Sequence, residues 1–387
     1  MQPFTFQNLT TLVFGRGRIA ELSTLVPAHE KILVCFGGGS VKRNGVYDQV
    51  KAALQGFDTL EFWGIEPNPK VETLEKAIRA GREAGVTFVL AVGGGSVLDG
   101  VKLIACALAD KTERPAWDLV LSRRPEASLP YASVMTVPAT GSEMNQNSVV
   151  SRLETQEKLS WVTPRFPEFS ILDPDCIKSL SMEQRRASIA DIIAHTLEQY
   201  LTQPGQSRLM DRWAEGILLT MHEITPALMT PIPADDVLDE YMLAATLALN
   251  EMICMGVNQD WATHAIGHEI TALTGLAHGA SLAIVYPALL RVRFGLKRAK
   301  LAQMGERVFG LKGEETQVAQ ETICALETWF RQMGLATRLP EANIDESVDQ
   351  EIVRRFDKRQ WKLGEDRAMS VAAIRDVLRT ARMPYEL

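Results

Sequence analysis

The chain has 387 residues, is 46% apolar and 23% charged, and carries a formal net charge of −7. Those values fit a soluble globular protein long enough for two or three domains, and the acidity argues against a general affinity for nucleic acid. No apolar run approaches the roughly 20 residues of a membrane helix, no leader-like start is seen, and five dispersed cysteines without metal-ligand spacing fit a reducing, cytoplasmic setting.

The first half alternates strand and helix patterns. KILVCF (31–36) reads as a buried strand closed by three glycines. Residues 46–55 have helical spacing, 59–64 read as a strand and 70–85 as an amphipathic helix. A strand over 87–92, a helix over 97–109 and a strand over 131–138 follow. This alternation predicts a parallel sheet covered on both faces. Strand signals thin out after Ile171-Leu172-Asp173-Pro174. Ser181-Met182-Glu183-Gln184 has the form of a capping box and opens a helix through Tyr200. Helical spacing recurs over 208–222, 237–255, 261–273, 298–309, 314–333 and 371–382. The expected organisation is an α/β domain over 1–178 and an all-helical domain over 179–387.

Two strands run into the same sequence: Gly37-Gly38-Gly39-Ser40 and Gly93-Gly94-Gly95-Ser96. Glycines let a backbone approach an anion, and a following helix N-terminus stabilises its charge. One such turn is often only a turn; two, each after an apolar strand, point to phosphate binding. A third strand end, Pro138-Ala139-Thr140-Gly141-Ser142-Glu143, adds small and hydroxyl residues. A ligand reaching all three loops has the extent of a dinucleotide. After the first strand there is no acid to bind a ribose 2′-OH, but Ser40 and then Lys42 and Arg43, which favours NADP(H) over NAD(H). Lys42 and Arg43 also read as a solvated surface pair.

Of six histidines, His29 and His222 stand alone. Asp191 and His195 share a helical face at i, i+4, as do His264 and His268, with His278 close behind. A carboxylate with several imidazoles in an apolar setting suits a four-ligand Fe²⁺ or Zn²⁺ site able to polarise a carbonyl. Asp99 reads either as a contact to the nicotinamide end of a cofactor or as a late helix cap.

Together these residues resemble the iron-containing (group III) alcohol dehydrogenases, in particular the branch of NADPH-dependent butanol dehydrogenases and broad-range aldehyde reductases. The resemblance is carried by GGGSVK, EPNP (66–69), VGGGSVLDGVK, PATGSE, DIIAHTLEQY, QDWATHAIGHE and Leu276-Ala277-His278. It implies a dehydroquinate synthase-like architecture: a Rossmann-like α/β domain followed by a helical one, with the site in the cleft between. It also implies metal ligands at Asp191, His195, His264 and His278. Gly93, Gly94, Gly95, Ser96 and Asp99 fall on its cofactor motif. Thr136, Thr140 and Asn145 fall on positions lining the cofactor and substrate cleft, and Lys158 on a lysine near the adenosine 2′-phosphate. His268 matches a histidine near the site; a proton relay and a packing role both stand. The implied protein is a cytoplasmic homodimer acting on aldehydes and alcohols, with no nucleic-acid or membrane partner. Gly279-Ala280-Ser281 stands where many relatives have a different pocket wall, and Trp161 and Arg165 are candidates for altered local contacts, which leaves substrate range open. An NAD-linked polyol dehydrogenase or a lyase of the same superfamily, and a non-catalytic NADP or metal sensor, are the rivals. A medium-chain zinc alcohol dehydrogenase would need cysteine ligands at spacings absent here.

Overall fold

In the computed structural model, which describes residues 1–384, the chain forms two compact units. One comprises Gln7–Ser181 and Ile232–Asn250; the other comprises Met1–Phe6, Met182–Pro231 and the chain from Glu251 onward.

The first unit is built on eight strands: β1 (Thr11–Phe14), β2 (Lys31–Phe36), β3 (Asp58–Phe62), β4 (Phe88–Gly94), β5 (Tyr131–Val137), β6 (Asn147–Arg152), β7 (Glu157–Val162) and β8 (Phe169–Leu172). Six make one sheet in the order β1-β8-β5-β4-β2-β3, with every neighbouring pair parallel. β2, β4 and β5 are apolar and buried almost end to end, as expected where helices cover both faces. On one face Ile32, Val34, Phe36, Leu90, Val92, Val134 and Ile171 share a core. The Gly95–Ala109 helix has nearly every side chain buried, including Leu103, Ile104 and Ala105. The edge strand β3 instead exposes Asp58, Thr59 and Glu61, which discourages pairing with another chain. β6 and β7 form a separate antiparallel hairpin.

From β2 the chain moves outward to β3, and from β4 it moves the other way to β5. The ends of β2 and β4 thus flank the topological switch point, where ligands of open parallel sheets bind. The first glycine triplet leaves the sheet there and the second closes β4, with Phe36 and Val92 in register one residue before each.

Helix Asp235–Ala248 belongs to the sheet unit. Arg16 grips Asp239 through two guanidinium nitrogens, at 2.6 and 3.1 Å. The sequence pattern ran this helix to residue 255, but it ends at Leu249, whose carbonyl accepts from Asn145 Nδ2 at 2.8 Å.

The second unit is helical. Helix Met182–Tyr200 is buried without a break from Ser188 to Tyr200, with Ile189, Ile192, Ile193 and Leu197 fully enclosed. Helix Arg208–Leu228 starts on a Ser207 side-chain cap and runs six residues past the expected end at His222. Its last carbonyls and those just beyond are held by the buried Arg185, which donates to Leu228, Thr230 and Pro231. Helices Ala262–Thr274 and His278–Val292 follow, then Phe294–Val308, Glu315–Gln332, Glu346–Arg359 and Val371–Thr380. Gly279 packs so closely on the Ala187 backbone that any Cβ there would overlap the Ala187 carbonyl oxygen. Among the described residues no single helix is long and apolar enough to cross a membrane.

Candidate active site

Asp191 and His195 lie one turn apart on the buried face of Met182–Tyr200. His264 lies in the first turn of Ala262–Thr274, and His278 is the first residue of His278–Val292. The Nε2 atoms of His195, His264 and His278 lie 3.7, 3.8 and 3.8 Å from the same oxygen, Asp191 Oδ1. The imidazoles of His195 and His264 stack at 4.6 Å between centroids. Ligands about 2.0–2.1 Å from a tetrahedral ion sit roughly 3.4 Å apart; the donor atoms of Asp191, His195 and His264 all lie within 4.8 Å of one another, and His278 joins them through its 3.8 Å approach to Asp191 Oδ1.

The residues present fit a divalent ion. His264 Nε2 is buried and has no hydrogen-bond partner, and its 3.8 Å separation from Asp191 is too long for one. Burial opposes a charged His264 ring, but Asp191 and Glu198 favour it more strongly, so the ring's pKa is raised above the usual value. One carboxylate with several imidazoles suits Fe²⁺ or Zn²⁺. His268 stands at the side of this cluster, its ring centre 4.7 Å from that of His278 and 6.4 Å from that of His264.

The glycine loops are built differently. Gly39 takes φ +94° and opens the short turn Ser40–Arg43, leaving Ser40 exposed. At the second loop, close approach rather than positive φ demands glycine. A Cβ at Gly93 would overlap Val97, one at Gly94 would lie 2.7 Å from Val137 Cβ, and one at Gly95 would overlap Thr140. The β4 end is thereby pressed against the β5 end and its loop. Gly95 begins a helix with no side-chain cap, so its first N–H groups are available to an anion. Ser96 Oγ accepts from Asn68 N at 3.3 Å, and Lys158 Nζ donates to Asn68 Oδ1 at 2.8 Å, which brings the EPNP segment and the hairpin to this loop. Thr136 is buried near the end of β5, and Thr140 Oγ1 accepts from Ser142 N.

Asp99 and Asn145 are committed to the support beneath these loops. Asp99 Oδ1 accepts from Ser142 Oγ at 2.7 Å and Oδ2 from Val149 N at 3.0 Å. Burial raises the Asp99 pKa, opposed by Lys102 and these two donors. Asn145 donates to the Gly141 and Leu249 carbonyls and accepts from Asn147 N and Lys102. Trp161 is buried in the hairpin, and Arg165 pairs with Glu168.

Three residues at these sites escaped the sequence reading. Lys102 is fully buried and donates to Ser142 Oγ, Asn145 Oδ1 and the Ser142 and Asn147 carbonyls. A lysine inside the apolar LIACALA helix was the available signal. Glu143 is also fully buried; it accepts from Thr246 Oγ1, and burial raises its pKa. Glu198 follows Asp191 and His195 on the same helical face and meets the His264 ring at 3.1 Å. The i+7 carboxylate was visible, but its partner lies 66 residues later.

A buried aspartate–imidazole cluster in a helical unit, with glycine loops at the switch point of a parallel sheet, defines a metal-dependent dehydrogenase. Comparison with known proteins agrees. The model for iron-containing alcohol dehydrogenase matches residues 10–174, and that for the C-terminal part of the Fe-containing alcohol dehydrogenase family matches 186–382. The chain is 41% identical to the NADPH-dependent aldehyde reductase YqhD of Escherichia coli, over 99% of this chain and 100% of that one. A crystal structure of YqhD from E. coli K-12 superposes with a TM-score of 0.96 over 98% of this chain and 99% of that one. A probable NADH-dependent butanol dehydrogenase of Bacillus subtilis is 37% identical, over 90% of this chain and 92% of its own. The chain belongs to the iron-containing alcohol dehydrogenase family and has its dehydroquinate synthase-like architecture.

Proposed function

We propose that this protein is a metal-dependent, NADP(H)-linked alcohol dehydrogenase and aldehyde reductase acting on short- to medium-chain aldehydes. The observation that carries the proposal is the convergence of three imidazole Nε2 atoms on one oxygen of Asp191. Asp191, His195, His264 and His278 would hold Fe²⁺ or Zn²⁺, and Gly37–Ser40, Gly93–Ser96, Thr136, Thr140 and Lys158 would hold the dinucleotide. When bound, the ion supplies Lewis-acid polarisation of a carbonyl and NADP(H) supplies the hydride.

The chain's own residues position and shield. The uncapped N-terminus at Gly95 offers backbone N–H groups to a pyrophosphate. Asp99, Lys102, Ser142 and Asn145 keep the third loop rigid, which makes Asp99 a positioning residue in this reading. His268, half-buried beside His278, would hold or pass a proton near the site in this reading.

The choice of NADP(H) rests on the first loop, because relatives named for NADPH and for NADH both match. No acid follows β2. Lys42 Nζ sits 4.0 Å over the Trp63 ring and makes no ion pair among the described residues. Its charge is thus available to a 2′-phosphate. The proposal extends to a cytoplasmic homodimer, in keeping with five free thiols.

The test is a panel of C2–C8 aldehydes with NADPH or NADH and metal-loaded protein, read as loss of absorbance at 340 nm. Turnover of several aldehydes with NADPH preferred is expected. No turnover with any aldehyde would overturn the reaction, and equal efficiency with NADH would overturn the cofactor choice.

A further inference from the structure

Glu198 is nearly inaccessible and makes contacts at every polar atom of its carboxyl group. Oε1 accepts from His264 N and lies 3.1 Å from His264 Nδ1, while Oε2 accepts from Trp261 N at 3.1 Å. Its backbone carbonyl accepts from Asp260 N at 2.9 Å. Asp260 in turn accepts from Ala262 N and from the buried Lys297.

Two consequences follow from elementary chemistry. First, the start of helix Ala262–Thr274 has no cap from its own N-cap residue, Trp261. Glu198, on another helix, takes the N–H of that N-cap residue and of the third helical residue, while Asp260 takes the N–H of the first. This is capping in trans, with negative charge at the positive end of the helix dipole. It also holds Trp261 at φ +65°, a left-handed conformation that a bulky residue rarely adopts. Held there, the indole centroid lies 5.1 Å from that of His264 and 6.2 Å from that of His195.

Second, a carboxylate only accepts, so the His264 ring nitrogen facing it must carry hydrogen. That leaves Nε2 as the nitrogen whose lone pair can serve a metal, and it is the one directed at Asp191.

We propose that Glu198 is a positioning residue that sets the metal-ligating tautomer of His264 and clamps Trp261 before any ion arrives. The inference rests on the metal reading above. Because Asp191, His195 and Glu198 share one helix, the clamp locks the His264 helix to the element that carries two other ligands.

The experiment compares wild type with Glu198→Gln and Glu198→Ala in two readouts. Zn²⁺ affinity is measured by chelator competition on the full-length protein well below its melting temperature. The His264 tautomer is read in metal-free protein by ¹⁵N-histidine NMR, assigned with a His264→Gln variant. Wild type should show an Nδ1-protonated His264. Zn²⁺ binding should weaken by about 10- to 100-fold in the variants, more in Glu198→Ala than in Glu198→Gln. A purely structural role would lower melting temperature without moving the affinity. Variants that bind Zn²⁺ within about twofold of wild type overturn the inference alone. Wild type that takes up no Zn²⁺ overturns the metal reading as well. If neither variant folds, the wild-type spectrum still decides: hydrogen on Nε2 alone contradicts the proposal.

Discussion

The two candidate sites, one in each unit, store chemistry in opposite ways. In the helical unit it lies in side chains: one carboxylate and three imidazoles fixed on three helices. In the sheet unit it lies in backbone, at loops where side chains are excluded and the polar groups beneath are committed to support. A side-chain site fails when a donor atom is removed. A backbone site fails when an atom is added, or when the support beneath it is lost.

Mutations on each side should separate the two. The largest effect is expected from His264→Ala, which removes a donor outright. Its kcat/KM should fall by more than the roughly 100-fold that losing a residue behind a ligand costs. Metal content by mass spectrometry should fall with it, while NADPH binding by fluorescence stays within about twofold. Retention of both metal and activity would break the ligand assignment.

Lys102→Met should be the most destabilising change in the sheet unit. It leaves buried Asp99 without its neighbouring cation and removes a donor shared by four acceptors, of which Asn145 Oδ1 keeps its bond from Asn147 N. Urea unfolding should show a loss of about 3–5 kcal/mol. A loss below about 1 kcal/mol would mean that Lys102 does not carry the loop support.

Gly95→Ala adds a Cβ that overlaps Thr140. A stability cost of about 1–3 kcal/mol and a roughly tenfold weaker NADPH affinity are expected, with Zn²⁺ affinity unchanged. Metal loss in this variant would show that the two sites are not independent.

The smallest effect should come from Lys42→Ala. The preference for NADPH over NADH should drop by roughly tenfold, or about 1.4 kcal/mol, with little change in NADH turnover. An unchanged preference would make Lys42 a surface residue.

The contrast also explains what was legible in the sequence. Asp191 with His195, and His264 with His268, could be paired because helical spacing places side chains predictably; His278, on a separate helix, was singled out as a ligand only by the family resemblance. The two GGGS turns could be read as anion loops because each ends an apolar strand. Their tight packing could not, since Gly94 meets Val137 and Gly95 meets Thr140 only once β4 and β5 are known to be neighbours. Glu198 was hidden for the same reason, its partners lying on another helix. β1 and β8, four residues each, were too short to stand out, and their pairing is what defines them. The extension of the Arg208–Leu228 helix depends on Arg185, a residue remote in sequence.

The central claim is that the Asp191 cluster holds an ion required for turnover. It is tested most directly by stripping the protein with a chelator, titrating back Fe²⁺ or Zn²⁺, and following NADPH oxidation with butanal. The account predicts negligible turnover in stripped wild type, recovery that saturates at about one equivalent of ion per chain, and no recovery in His264→Ala. Full-rate aldehyde reduction by protein shown to be free of metal would contradict it.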